Sequence, residues 1–202
     1  MRHRSEVSLI LAVSVFALAG VSAMALTETA AVTVITPPET TPIIVVRSPD
    51  DAGAWFQEIR QFCNPVEVET RMRWQPAPDG PEGDMRRAAC YALAGRIAEA
   101  RTVIEGLPQG LRYRAAGVVF NAGHPAADAG DDVAAGPLME LVVEFWPNHY
   151  MALYHAGAAS FERGDFGLSA DYLERFLVEY SVADGWRSNA ESMLADMSRT
   201  ER

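Results

Sequence analysis

The sequence predicts an all-α fold of antiparallel helix hairpins, with about nine helices in a chain of 202 residues. The first observation is the stretch 148–180, where apolar side chains recur at three- and four-residue steps on both sides of Gly164-Asp165. The second is a spacing, because Gly95, Gly130 and Gly164 lie 35 and 34 residues apart and each precedes a turn and a helix. A hairpin of this kind leaves a second apolar face for a neighbour, which is typical of helical repeats.

The two helices within residues 148–180 each have one apolar face. Asp171 and Arg175 form an i,i+4 pair on the outer side of the second helix. The small residues 156–159 allow a close approach between the two helices. The apolar faces are formed by Tyr150, Leu153, Tyr154, Gly157, Ala158 and Phe161 in the first helix, and by Phe166, Leu173, Phe176, Leu177 and Tyr180 in the second.

Nine helices are predicted within one folded domain, residues 50–202. Pro65 ends the first helix, because the residue before a proline avoids the α region. Pro137 is expected at the first position of the sixth helix, and residues 123–136 are expected to be irregular because Gly, Pro and Asp are frequent there. The predicted ranges are 51–62, 66–74, 84–95, 96–107, 111–122, 137–146, the two helices of 148–180, and 186–198.

Residues 1–25 have the pattern of an export signal, with Arg-His-Arg at 2–4, an apolar run at 7–20 and Ala-Met-Ala at 23–25. No Cys follows the cleavage pattern, which disfavours a lipoprotein. The apolar stretch 7–26 is just long enough to span a bilayer, so an uncleaved signal anchor is the alternative. In both cases the folded domain is expected outside the cytoplasm, in the periplasm or secreted.

A Thr- and Pro-rich segment, residues 26–49, joins the export signal to the folded domain. It shows no helical period, and its prolines favour an extended backbone. The segment is therefore predicted to be a disordered linker. Within it, residues 43–46 form a short β-prone run.

The chain is acidic, with 27 Asp and Glu residues against 17 basic residues, and its formal net charge is -10. All of the basic residues are Arg. Affinity for the phosphate backbone of nucleic acids depends on basic side chains, so nucleic acid is not an expected partner. The composition is otherwise that of a globular protein, 49% hydrophobic and 22% charged.

The chain contains two cysteines, Cys63 and Cys90. In an oxidising compartment an even pair is more often a disulfide than a catalytic thiol. A redox dithiol would favour Cys-x-x-Cys spacing, which is absent. We expect a disulfide that closes a loop across the first predicted helices, and two free buried thiols are the alternative.

The residues around the three glycines resemble the tetratricopeptide repeat family, whose helix-turn-helix unit has a period of about 34 residues. The resemblance covers residues 84–180, and the middle unit is degenerate because Pro125 falls inside its expected first helix. In the last unit Ser160 and Ser169 stand where the family has tyrosine and alanine. The matching residues are Ala88, Tyr91, Gly95, Ala100 and Ile104 in the first unit, and Gly157, Gly164, Asp165, Phe166 and Leu173 in the last.

The resemblance implies a right-handed stack of helix pairs, a TPR-like α-solenoid, whose concave face is lined by the first helix of each pair. Members of the family are mostly adaptors that hold peptides or partner domains on that face. Phe120 and Tyr154 have core packing as the alternative role. The binding positions implied in this chain are Phe120, Asn121, Met151, Tyr154 and His155.

One loop concentrates residues that could ligate a metal ion, namely His124, Asp128, Asp131 and Asp132. Carboxylates and imidazole bind divalent cations. The spacing fits no EF-hand, HExxH or zinc pattern, and aspartates are equally good turn formers and helix caps. The expectation is therefore no metal, no cofactor and no catalysis, since the sequence also lacks GxSxG, GxGxxG and P-loop motifs.

The sequence thus predicts an exported, TPR-like scaffold that binds a protein or peptide in the cell envelope. A metal-dependent enzyme or metal-binding protein that uses the loop at 124–132 is one alternative. A structural subunit of a membrane-anchored complex, held by an uncleaved 7–26 helix, is another. Exposed end faces of short helical stacks often self-associate, so a homo-oligomer is a further expectation.

Overall fold

The computed structural model describes residues 51–200, all of which belong to one compact unit. Within this range the fold is all-α and contains nine α-helices and one 3₁₀ turn, which confirms the predicted fold class. The α-helices are α1 (Asp51–Ile59), α2 (Val68–Trp74), α3 (Pro81–Leu93), α4 (Ile97–Gly106), α5 (Gln109–Asp128), α6 (Asp132–Phe145), α7 (Tyr150–Glu162), α8 (Phe166–Glu179) and α9 (Gly185–Thr200).

The same turn ends helices α3, α5 and α7. Gly95, Gly130 and Gly164 have φ angles of 71°, 88° and 77°, a left-handed conformation that favours glycine. In each case the N–H of the following residue donates to a carbonyl five residues earlier, as in a Schellman motif. The three hydrogen bonds are Arg96 N–H to Tyr91 O, Asp131 N–H to Ala126 O, and Asp165 N–H to Ser160 O.

The hairpins α3/α4, α5/α6 and α7/α8 also share their buried positions. Seven residues before each of the three glycines, a small residue lets the partner helix approach. At Gly157 an added Cβ would lie 2.7 Å from Leu173, which leaves no room for a side chain. Ser169 donates from its hydroxyl to the Gly157 carbonyl at 2.9 Å. The corresponding buried sets are Ala88, Gly123 and Gly157; Ala100, Ala135 and Ser169; and Ile104, Met139 and Leu173.

The prediction that residues 123–136 are irregular is wrong. Helix α5 continues through Pro125 to Asp128, and α6 begins five residues before Pro137. Each proline removes one intrahelical hydrogen bond, and the carbonyls that lose a partner belong to the exposed residues Asn121 and Val133. Water can reach such carbonyls, so two exposed prolines do not end these helices.

The N-terminal part of the domain, comprising α1, the 3₁₀ turn Arg60–Phe62 and α2, is attached by the disulfide between Cys63 and Cys90. The predicted pairing is therefore confirmed, and Cys90 lies in the buried face of α3. Of two further contacts, the first lies within this part and the second joins it to α5. The Trp55 Nε1–H donates to the Gln75 carbonyl at 3.0 Å. The Arg60 guanidinium donates to the Ala122 carbonyl of α5, also at 3.0 Å.

Among residues 51–200, no helix combines the length and the apolar character that crossing a bilayer would require. The predicted export signal at 1–25 and the linker at 26–49 lie outside the described residues. The disulfide is compatible with an oxidising, exported location.

Candidate functional site

Helices α5 and α7 face each other through a cluster of rings. The chain has four histidines, and three of them meet here. The ring centroids of His124 and His155 lie 5.2 Å apart, and Phe120 lies 4.4 Å from His124 and 4.1 Å from His149. The structure thus brings together residues that the sequence assigns to two separate roles, a metal-ligating loop and a binding groove.

His155 is the most buried member of the cluster, with only 1% of its surface exposed. Its Nδ1 lies 2.7 Å from the Asp132 Oδ1 atom. A carboxylate only accepts hydrogen bonds, so this contact assigns the proton of the neutral ring to Nδ1 and the free lone pair to Nε2. The Nε2 atom is buried and has no hydrogen-bond partner among the residues that the structure describes.

Asp128 and His124 lie beside this unpartnered nitrogen. The Asp128 Oδ1 atom is 3.2 Å from His124 Nε2 and 3.8 Å from His155 Nε2. His124 Nε2 is also buried, and its contact with Asp128 lacks hydrogen-bond geometry. Burial lowers the pKa of His124, against the opposing effect of the Asp128 carboxylate, so this imidazole favours its neutral form.

Asp131, a third aspartate of the predicted metal loop, lies apart from the histidines. Asp131 is the N-cap of α6, where its carboxylate accepts the Ala134 N–H at 3.2 Å. It is exposed and does not contact the histidines. Asp132 contacts the cluster only through His155 Nδ1. The sequence therefore points to His124, Asp128 and Asp132 as potential ligands but assigns His155 to the groove instead.

A partly exposed row of rings continues from this cluster. We name it the aromatic surface and define it as Tyr113, Trp146, His149, Tyr150 and Tyr180. Adjacent ring centroids along the row are 6.2, 4.6, 6.2 and 5.2 Å apart. Tyr113 is 51% exposed and Tyr150 is 43% exposed. The row is apolar in its ring faces and polar in its hydroxyl groups.

The predicted groove residues are distributed unevenly between surface and core. Asn121 is exposed, and Phe120 and Met151 are half-buried. Tyr154 and His155 are buried, because Trp186 of α9 packs edge-on against both rings at 4.8 and 5.7 Å. Burial raises the pKa of the Tyr154 hydroxyl. Helix α9 therefore closes one end of the face that α5 and α7 share.

Asp184 fixes the start of α9 at this closed end. Its carboxylate accepts a hydrogen bond from the Tyr180 hydroxyl and further bonds from the N–H groups of Trp186 and Arg187. The bond between the two side chains raises the pKa of Tyr180 and lowers that of Asp184. The carboxylate thus links the aromatic surface to the helix that covers Tyr154.

His149 makes the stability of the domain depend on pH. Burial lowers its pKa, and its Nδ1 accepts the Ala152 N–H at 3.2 Å as the N-cap of α7. The unfolded chain thus binds a proton more readily, so acid favours unfolding from about pH 6.5 downward. The variant His149→Asn keeps the cap but cannot titrate. In metal-free buffer, we expect wild type to lose more unfolding free energy than this variant between pH 7.5 and 5.

Urea denaturation at several pH values measures this difference. The rings of Phe120, Trp146 and Tyr150 surround His149, and His124 is the titratable side chain that also lowers the pKa of His149. His124 titrates in both proteins, so it cancels in the comparison. Identical pH profiles for wild type and His149→Asn would contradict the assignment.

No protein-family model, no curated protein and no solved structure matches this chain.

Proposed function

We propose that the protein is an exported, TPR-like binding module that holds a partner protein or peptide on the aromatic surface and performs no chemistry of its own. The observation that carries the proposal is the row of five rings, which spans the hairpins α5/α6 and α7/α8 and leaves about half of Tyr113 and of Tyr150 exposed. Tyrosine and tryptophan supply much of the affinity at protein interfaces.

The repeated helix ends support a scaffold role. The same Schellman turn recurs at three glycines 35 and 34 residues apart, and the hairpins share their small and bulky buried positions. Rigid hairpins of this kind present side chains for binding without ordering a loop, which reduces the entropic cost of association. The net charge of -10 favours a partner with a basic surface, chiefly through the association rate.

An exported location agrees with the Cys63–Cys90 disulfide, because such bonds persist in oxidising compartments. The mass of the mature protein tests export and anchoring together. Cleavage after Ala25 would give a free protein, as the scaffold proposal expects. A protein that keeps residues 1–25 and fractionates with the membrane would instead support a subunit of an anchored complex.

Partner binding is tested with the double variant Tyr113→Ala, Tyr150→Ala. Both side chains are about half exposed and neither belongs to the buried core, so their removal leaves the core intact. We expect the tagged full-length protein to co-purify a stoichiometric partner from its native envelope, and the double variant to bind the purified partner at least about tenfold more weakly. Titration of the partner by calorimetry gives both dissociation constants.

Val178→Ala is the matched control, because Val178 is an 81% exposed apolar residue of α8 that lies outside the aromatic surface. The control should bind like wild type. Raising the salt concentration should slow association with a basic partner. A partner that binds wild type and the double tyrosine variant equally well would exclude the aromatic surface as its docking site.

A further inference from the structure

We propose that His124, Asp128 and His155 form a binding site for a divalent transition-metal ion of the Zn²⁺ class. This inference does not depend on the proposed partner binding. One nitrogen or oxygen atom from each of the three residues lies within 4.8 Å of the other two. Two ligands come from the C-terminal part of α5 and the third from the middle of α7, so the ion would join the two helices.

The distances are close to those of a metal site. Tetrahedral Zn²⁺ with bonds of about 2.0–2.1 Å holds its ligand atoms about 3.3 Å apart. The Asp128 Oδ1 atom already lies 3.2 Å from His124 Nε2 and 3.8 Å from His155 Nε2. Asp128 and His124 lie at the surface end of the cluster, so rotation of their side chains can close the remaining gap without moving a helix.

The buried Nε2 atom of His155 is the strongest indication of a ligand. A buried nitrogen without a hydrogen bond is destabilising, and native structures contain few such atoms. His124 Nε2 is also buried and has no hydrogen-bond partner within residues 51–200. Two unpartnered imidazole nitrogens beside one carboxylate are a destabilising arrangement for a core but a suitable one for a cation that accepts all three lone pairs.

Asp132 supplies the supporting contact that metal-binding histidines typically have. Such histidines usually donate their other ring N–H to a carboxylate, which fixes the tautomer and raises the basicity of the coordinating nitrogen. The 2.7 Å contact between His155 Nδ1 and Asp132 Oδ1 has this form. It orients Nε2 toward Asp128, and Asp132 is therefore a positioning residue.

The donor set selects the class of ion. Two imidazole nitrogens and one carboxylate suit Zn²⁺ and its first-row neighbours, whereas Ca²⁺ and Mg²⁺ prefer sites made of oxygen. The side chain of Asp128 is 45% exposed. Solvent therefore reaches the cluster from the Asp128 side, which provides access for the ion and a fourth position for water.

The test is isothermal titration of Zn²⁺ into the untagged full-length protein in mild detergent. We expect one site with a dissociation constant in the micromolar range or tighter. Asp128→Asn removes a ligand charge at a partly exposed position and should weaken binding at least tenfold. Asp131→Asn removes the same charge from the neighbouring N-cap, where Asn also caps, and should bind like wild type.

Two further measurements separate coordination from general attraction to acidic residues. Asp132→Asn keeps a hydrogen-bond acceptor for His155 and should weaken binding by about 10–100-fold, the usual effect of losing a supporting carboxylate. Co²⁺ bound to wild type should give the intense visible absorption of a four-coordinate site. Equal weakening by Asp128→Asn and Asp131→Asn, or no measurable Zn²⁺ binding by wild type, would overturn the proposal.

Discussion

Replacing both cysteines in the variant Cys63→Ala, Cys90→Ala is expected to lower the free energy of unfolding by about 3.5 kcal/mol. The disulfide spans 27 residues, and opening a loop of that length restores conformational entropy to the unfolded chain. Alanine is only one atom smaller than cysteine, so most native packing around the two buried positions is kept. Urea denaturation of the oxidised wild type and of the double variant measures the difference.

Reduction of the wild-type protein provides the control for this prediction. With the disulfide reduced, wild type should unfold at nearly the same urea concentration as the double variant, because both lack the same cross-link. The loss should appear first in α1 and α2, which the disulfide attaches to α3. If oxidised and reduced wild type unfold at the same midpoint, the cross-link does not contribute the predicted stability.

The last hairpin could be predicted from the sequence because every local signal agrees. The apolar period, the small residues and Gly164 all predict a helix, a turn and a helix, and the structure has α7 and α8 in those positions. Asp165 caps α8 by accepting the Leu168 N–H. Local propensity and tertiary packing favour the same structure here, so a sequence argument is sufficient.

The middle hairpin is different because its local signals conflict with its packing. Pro125 and the glycines predict a loop, whereas Gly123 packs on Leu138 so closely that an added Cβ would lie 2.7 Å from its methyl groups. The turn at Gly130 and the N-cap residue Asp131 then start α6. Tertiary packing outweighs a weak local preference, and only the spacing from Gly95 predicts this outcome.

The histidine cluster could be predicted only in part for a related reason. His124, Asp128 and Asp132 are near one another in sequence, so composition alone identifies them as potential ligands. His155 lies 23 residues beyond Asp132, and its position in an apolar helix indicates only a buried face. The approach of α7 to α5 creates the site, and no local pattern contains that information.

The variant Gly83→Ala is expected to lower the free energy of unfolding by about 3 kcal/mol. A Cβ at this position in the first turn of α3 would overlap with the backbone carbonyl oxygen of Pro78. Pro78 is buried, and a carbonyl cannot move away by rotating as a side chain can. The backbone of the preceding loop would therefore have to shift. Thermal and urea denaturation followed by circular dichroism measure the loss.

Gly110→Ala is the matched control, because Gly110 lies in the first turn of α5 and an added Cβ there meets open space. Alanine favours the helix and restricts the unfolded chain, so this variant should raise the free energy of unfolding by about 0.5–1 kcal/mol. Replacing glycine with alanine should therefore lower the free energy of unfolding in the first turn of α3 and raise it in the first turn of α5. If both variants are stabilised, the loop before α3 accommodates a side chain at Gly83, and the close packing of Pro78 on α3 does not hold in solution.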